Sequence, residues 1–266
     1  MRIQKNGWDV VYKKAIQPNG TLLFPERLTE DFLDKARRTM GSYIFANQYQ
    51  NEIIPDGEQT FKKEWLRYYD KLPDLTYTFC FIDPAISEAS TSDFTGVSVV
   101  TVDSSRNWFV RLSQRYKFNP SQLIELIFRL YDQFQPQSIG VEEVAFQKAI
   151  THFTFEEMRR RNKYIPVSGV KIGTERTKEQ RILSLVPRFE FGTLFLSNAC
   201  KDLELELAQF PRGSSDDTLD SLSGINEIVY YPTEKREQDV QPHNPNSPEY
   251  EKWYIRQLTK RASEEF

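Results

Sequence analysis

Six acidic side chains come from three separate parts of the chain and suit one shared centre. They are Asp83, Glu142, Glu143, Asp216, Asp217 and Asp220. The first ends an uncharged run, the two glutamates end a second apolar run, and the later aspartates begin an amphipathic pattern. A carboxylate beside a buried segment costs free energy unless a partner neutralises it. We therefore expect these groups to converge on a cation.

The chemistry expected of such a centre is metal-dependent hydrolysis. Carboxylates held close together raise one another's pKa unless a cation neutralises them. Oxygen ligands without histidine or cysteine favour Mg²⁺ or Mn²⁺. The chain has only two histidines, His152 and His243, which weighs against a Ser-His-Asp triad and against histidine-rich zinc sites. Two such ions about 3.5–4 Å apart can activate a water and stabilise the leaving 3′ oxygen of a phosphodiester.

Each acid also has a simpler interpretation. Asp83 precedes a proline and could be a turn residue. The glutamate pair could be solvated loop charge. Asp216 and Asp217 could cap a helix, where the helix dipole favours negative charge. Asp220 is harder to explain as a cap because it lies a turn further in, on the face that carries Asp217. The coincidence of all these positions favours a common site.

The elements that would position these acids follow from hydrophobic periodicity. Strand patterns occupy residues 77–83, 96–102, 108–116, 137–142, 166–170 and 193–197. Helical patterns begin near Thr29, Asn119, Phe146, Thr177, Asp202 and Asp216. The first three strands are joined by short polar segments, which indicates an antiparallel meander. The later alternation of helices and strands predicts a mixed sheet with helices on both faces, with sites gathered at strand carboxyl ends.

Composition limits the partners and the compartment. The formal net charge is -3, so any contact with nucleic acid must come from local basic clusters. The candidates are Arg159, Arg160, Lys171, Arg176, Lys178 and Arg181, which could equally be solvated helix faces. Two cysteines are too few for a disulfide framework, and this favours a reducing compartment. No apolar run of 18 residues occurs, so we expect no membrane span, and no Walker A motif is present.

An ordered set of segments resembles the nuclease domain of tailed-phage terminase large subunits. The segments are FIDPA (81–85), SDFTGVSVV (92–100), GVEEVAFQKAI (140–150), RTKEQRILSLVPRFEFGTLFLS (176–197) and SSDDTLDSLS (214–223). The stretches GWDVVYKKAI (7–16) and FKKEWLRYYD (61–70) are similar to the end of the terminase ATPase region. The resemblance covers about residues 7–231. It implies an α/β, ribonuclease H-like fold with a mixed five-stranded sheet and helices on both faces.

The resemblance also implies roles for individual residues. By position, Asp83, Glu142 and Asp217 match the three catalytic acids, and all three would bind metal. Asp220, which matches a second aspartate of the last motif, is implied as a further metal ligand, and Asp216 is a less certain one. Glu143 and Asp216 are the competing assignments for the second and third acids. Asp93 matches a recurring aspartate of unassigned role, and Ser215 stands where many relatives carry histidine.

The implied function is cutting concatemeric viral DNA during genome packaging, with two Mg²⁺ or Mn²⁺ ions. The implied partners are double-stranded DNA, the terminase ATPase region, the small terminase subunit and the portal, in the host cytoplasm. Residues 1–70 would be the remnant of the ATPase end, residues 71–231 the nuclease domain, and residues 232–266 a polar tail. Without Walker motifs, this chain should not hydrolyse ATP. The alternatives are a resolvase or transposase-type nuclease, or a non-catalytic docking module.

Overall fold

A computed structural model of the chain describes residues 13–52, 60–84, 94–143 and 147–233, together with Tyr250, Glu251 and Tyr254. Six strands form one sheet in the order β5-β4-β1-β2-β3-β6. They are Thr76–Asp83 (β1), Thr95–Asp103 (β2), Trp108–Tyr116 (β3), Ser138–Glu142 (β4), Val167–Val170 (β5) and Leu194–Leu196 (β6). Seven helices are described: Glu30–Gln50 (α1), Pro120–Phe134 (α2), Gln147–Arg161 (α3), Lys178–Leu183 (α4), Val186–Glu190 (α5), Lys201–Gln209 (α6) and Asp217–Gly224 (α7).

The sheet is mixed and has helices on both faces, so the predicted α/β architecture is confirmed. β1, β2 and β3 form the antiparallel meander, while β4 and β5 run parallel to β1. The predicted count of five strands is wrong. The sixth strand, β6, lies parallel to β3 at the far edge, with Leu194 opposite Trp108. Its short apolar run needs a neighbour for its backbone hydrogen bonds, and the free edge of β3 supplies one.

Both faces of the sheet are covered because side chains along β1 alternate between two cores. Phe79 and Phe81 pack with α4 to α7, and Cys80 and Ile82 pack with α2 and α3 on the opposite face. Capping boxes start α2 at Asn119 and α4 at Thr177, where the sequence predicts helices to begin. No helix among the described residues is both long and apolar enough to cross a bilayer.

α7 packs unusually close to the sheet, and this closeness decides where its acids lie. A side chain at Gly96 of β2 would overlap the backbone carbonyl oxygen of Asp217. At the other end of α7, a side chain at Gly224 would overlap the ring of Phe81. Between them, the hydroxyl of Ser98 contacts α7 through Ser221 at 2.8 Å. Small residues at both ends therefore let the helix lie directly on β1 and β2.

The segment before the sheet packs onto the same unit. α1 begins at Thr29, whose hydroxyl accepts from the Phe32 amide at 3.2 Å, as predicted. Glu190 of α5 accepts from the Ser42 amide at 2.8 Å, just after a kink at Gly41, where φ is 79°. Phe61 is buried in the core that contains Phe79. Residues up to Pro232 form one compact unit and residues 233–266 another, in which Tyr250, Glu251 and Tyr254 are helical.

Candidate metal centre

Three carboxylates from distant parts of the sequence meet where two strands of the sheet end. They are Asp83, Glu142 and Asp220, each offering an oxygen that lies within 4.8 Å of the others. β1 and β4 are parallel neighbours, with Ile82 opposite Val141, so the acids that end them fall side by side. Asp220 arrives from the second turn of α7, which lies on β1 and β2. Parallel strand ends and a close helix are therefore sufficient to build the cluster.

The environment of the cluster makes one of its carboxyl groups, Asp83, much harder to ionise than usual. Burial, a hydrogen bond with Glu142 and the charge of Asp220 raise the pKa of Asp83 to about 9. Asp220 is only 4% exposed. Carboxylates this close repel one another when ionised, which favours either a proton or a cation between them. A divalent ion would replace that proton.

Two basic side chains of α4 already face the cluster. Arg181 donates to the Asp220 carboxylate at 2.8 Å, and Lys178 lies 3.3 Å from its second oxygen. Lys178 also contacts Asp216 at 2.7 Å. Burial lowers the pKa of Lys178, but Asp216, Asp220 and Asp83 together outweigh it and hold that pKa above its ordinary value. The sequence predicts both side chains to contact DNA, whereas in the structure their partners are the acids.

The N-terminus of α7 is capped by a residue that the sequence patterns did not single out. Asp216 occupies the N-cap position but makes no capping hydrogen bond. Instead, the buried Glu206 of α6 accepts from the amides of Thr218 at 2.9 Å and Leu219 at 3.1 Å. Ser215 adds a further bond to the other oxygen of Glu206. The capping explanation of Asp216 is thereby removed, and Glu206 sets the position of the helix that carries Asp220.

Asp217 is half-buried beside the cluster and is not among the three converging acids. Burial and the nearby charge of Glu206 raise the pKa of Asp217, while Lys178 and Arg115 lower it. Its carboxylate therefore lies among the groups that flank the start of α7. The assignment of Asp217 as a catalytic acid and metal ligand stays a prediction, whereas Asp220, also expected to bind metal, is the third member of the cluster.

The choice between the two glutamates is clearer. Glu142 contributes an oxygen to the cluster. Glu143 follows the last residue of β4. Its amide donates to the carbonyl oxygen of Val170 at 2.8 Å, and its side chain lies near Gly169 of β5. The geometry therefore favours Glu142 as the ligand. Asp93 lies outside the described residues.

The residues predicted to contact DNA lie at opposite ends of β4 and β5, and only some of them lie at the end that carries the acids. Arg159 and Arg160 end α3, close to the chain that enters β5, where Val167 pairs with Ile139 near the start of β4. The acids lie at the opposite end of β4. Arg160 also forms an ion pair with Glu157 at 2.7 Å. The structure does not bring these two arginines to the cluster.

The other predicted contacts lie at the acidic end of the strands or near it. Lys171 is exposed and directly follows Val170, which pairs with Glu142. Arg176 is exposed just before α4. On the far side of the acids, Arg115 of β3 pairs with Gly96, which in turn pairs with Asp83. Arg115 had no motif to mark it, but its place at the end of the meander could have been derived from strand register.

The donor set fits a hard divalent cation. All three ligands are carboxylates, and the described residues bring no histidine or cysteine to the cluster. Such sets favour Mg²⁺ or Mn²⁺ over zinc. The raised pKa of Asp83 and the ion pairs of Asp220 with Lys178 and Arg181 show that the cluster favours positive charge.

Comparison with known proteins supports the fold. No family model matches the sequence, and no curated protein sequence matches it either. The large terminase of a thermophilic bacteriophage matches with a TM-score of 0.53 at 9% identity, over 74% of this chain and 51% of that chain. The human cytomegalovirus terminase nuclease domain matches with a TM-score of 0.46 at 16% identity, over 62% and 93%. The large terminase nuclease of a second thermophilic phage, G20c, gives 0.42 at 14%, over 62% and 95%.

The first of these matches shows that this chain shares its fold with a phage large terminase. The resemblance read from the sequence is thus confirmed at the level of fold. The chain spans about half the length of that large terminase.

Proposed function

We propose that the chain is a metal-dependent endonuclease that hydrolyses phosphodiester bonds of DNA by a two-metal mechanism. The observation that carries this proposal is the convergence of Asp83, Glu142 and Asp220 at adjacent strand ends. The shared fold with a phage large terminase supports it. Fold alone does not define an activity, so the argument depends on the chemistry of the cluster.

Mg²⁺ or Mn²⁺, when bound, supplies an activated water and stabilises the charge on the leaving oxygen. Asp83 and Glu142 would hold such ions rigidly because both end strands inside the sheet. Asp220 is positioned by α7, and Glu206 fixes the start of that helix. Asp217 and Asp216 are the remaining candidates for a second ion.

Lys178 and Arg181 would then change partners. Once cations neutralise Asp220, their side chains become available to a phosphate oxygen, which is a favourable acceptor for both. Their present contacts at 3.3 Å and 2.8 Å place them beside the cluster. They would bind the scissile phosphate and favour the charge that develops on it.

By analogy with the fold relative, the biological reaction is the cutting of concatemeric viral DNA during packaging in the host cytoplasm. The terminase ATPase region, the small terminase subunit and the portal are the partners proposed for it. The balanced charge of the chain implies weak, salt-sensitive binding of DNA, which suits a nuclease held to its substrate by other components.

Cleavage of supercoiled plasmid in Mn²⁺ tests the proposal. Asp83→Asn and Glu142→Gln are each expected to lower the rate by at least about 100-fold, because each removes a metal ligand. Glu143→Gln is the matched control and should cut at the wild-type rate. Equal cleavage by the Asp83 variant would refute the proposal. Preference for a four-way junction over plain duplex would instead indicate a resolvase.

One observation favours a second candidate, the non-catalytic docking module. Lys178 and Arg181 already neutralise Asp220, which is the arrangement expected of a site that holds no metal. Calorimetric titration with Mn²⁺ separates the two: heat of binding that Asp83→Asn abolishes supports the nuclease, and absence of binding supports the docking module.

A further inference from the structure

A basic groove of about 970 Å³ opens beside the metal centre, on the face of the sheet covered by α4, α5 and α7. Five arginines and one carboxylate are among its lining residues: Arg38, Arg106, Arg176, Arg181, Arg188 and Glu227. The arginines come from α1, the β2–β3 turn, the segment before α4, α4 itself and α5. A solvated helix face would draw its charges from one element, whereas this groove collects them from five.

Arg188 and Arg106 line the groove and are held in place by aromatic rings. Neither has a carboxylate partner in the described part of the chain. The Arg188 guanidinium lies 4.0 Å from the centre of the Trp108 ring and donates to the Tyr231 hydroxyl at 3.1 Å. Arg106 lies 5.6 Å over the Tyr231 ring. Stacking fixes these planar groups but leaves their positive charge uncompensated.

Two further arginines have open hydrogen-bonding capacity. Arg38 and Arg176 are exposed, and across the described ranges the side chain of neither forms a hydrogen bond or ion pair. Like charges gathered around one groove repel each other, and this costs free energy that a polyanion would recover. The groove is therefore built for a ligand with several negative charges.

Arg181 joins this groove to the metal centre, since it lines the groove and also binds Asp220. The groove lining includes Ser223 of α7 and, beyond the end of that helix, Asn226 and Glu227, and the chain from Asp220 to Glu227 rises about 10 Å at about 1.5 Å per residue. That length matches about three nucleotides of one strand at 3.4 Å each. The guanidinium fork matches phosphate oxygens in pairs.

We propose that this groove binds the sugar–phosphate backbone of one nucleic-acid strand next to the bond that the acidic cluster cuts. The inference rests on the proposed nuclease function, and it adds Arg38, Arg106 and Arg188 to the substrate-binding surface. Bound there, a strand would extend from the cluster along α7 towards the β2–β3 turn.

Binding of a fluorescent single-stranded 12-mer in EDTA tests the groove without cleavage. The double variant Arg38→Glu/Arg176→Glu changes only exposed side chains and is expected to bind at least about tenfold more weakly. Its plot of log K against log salt should be shallower by about 1.4, at 0.7 per lost phosphate contact. Arg27→Glu/Lys35→Glu is the matched control, because it makes the same charge change at exposed positions outside the groove lining.

Equal binding by the groove variant and the control variant would overturn the inference. So would displacement of the oligonucleotide by polyglutamate at equal charge concentration, which would identify an acidic protein as the ligand. Mn²⁺ calorimetry on the same variants keeps the two proposals apart: a groove variant that loses DNA binding but retains metal binding supports the groove. A chain that binds the strand but never cuts it refutes only the nuclease.

Discussion

Asp83→Asn should make the metal-free protein more stable at alkaline pH. The pKa of Asp83 is raised from 3.8 to about 9 by burial, by Glu142 and by Asp220. A carboxyl with a raised pKa favours the folded state only while it is protonated. Its contribution is fully present below pH 3.8 and is lost as the pH rises towards 9. The asparagine cannot ionise, so the variant avoids this loss.

The size of the effect follows from the pH interval. Between about pH 5.5 and pH 8, the unfolded chain has released the proton and the folded chain retains it. The loss is about 1.36 kcal/mol per pH unit, so over these 2.5 units the wild type should lose at most about 3.4 kcal/mol relative to the variant.

Urea unfolding in EDTA at the two pH values measures this difference. For each protein, the change in unfolding free energy between the two pH values is measured, and the value for Asp83→Asn is subtracted from that for the wild type. The contributions of His152 and His243 are the same in both proteins and cancel. Glu143→Gln serves as a control that should follow the wild type. An identical pH response in the wild type and Asp83→Asn would show that Asp83 is already ionised in the metal-free fold, and would refute the reasoning.

Three further predictions follow from contacts around the cluster. Lys178→Met removes a cation 3.3 Å from Asp220, so calorimetry should show Mn²⁺ binding about tenfold tighter, while plasmid cleavage becomes slower. Unchanged affinity would contradict this. Glu206→Ala leaves the first amides of α7 without an acceptor and should lower the unfolding free energy by about 3 kcal/mol in urea, against at most about 1 kcal/mol for Glu204→Ala, which loses a surface ion pair with Lys201. Gly224→Ala should cost about 2 kcal/mol in the same assay through overlap with Phe81; a neutral result would show that α7 can move away from the sheet.

Strand and helix order could be predicted because it depends on local patterns. The β1 run ends at Asp83 as predicted, and the capping boxes of α2 and α4 follow from residues three apart. The resemblance led to five strands, whereas the pattern of residues 193–197 indicated a sixth, which the structure confirms. Pairing of β6 with β3 is a non-local contact that no local pattern specifies.

The third acid of the cluster was harder to predict, because it depends on how α7 is rotated about its own axis. Spacing placed Asp217 and Asp220 on one face of α7, but only Asp220 reaches the other two acids. The orientation of α7 is set by its contact with Gly96 and by the cap from Glu206. Glu206 did leave a signal, because it stands in the apolar stripe of α6 with Leu203 and Leu207, where a carboxylate requires a buried partner.

The most direct test of the account is a crystal structure of the wild-type protein soaked in Mn²⁺, with the ions located by anomalous scattering. The account predicts an ion within bonding distance of carboxylate oxygens from Asp83, Glu142 and Asp220, with Lys178 and Arg181 displaced from Asp220. A cluster that stays empty while the two basic side chains keep their ion pairs would contradict the metal centre.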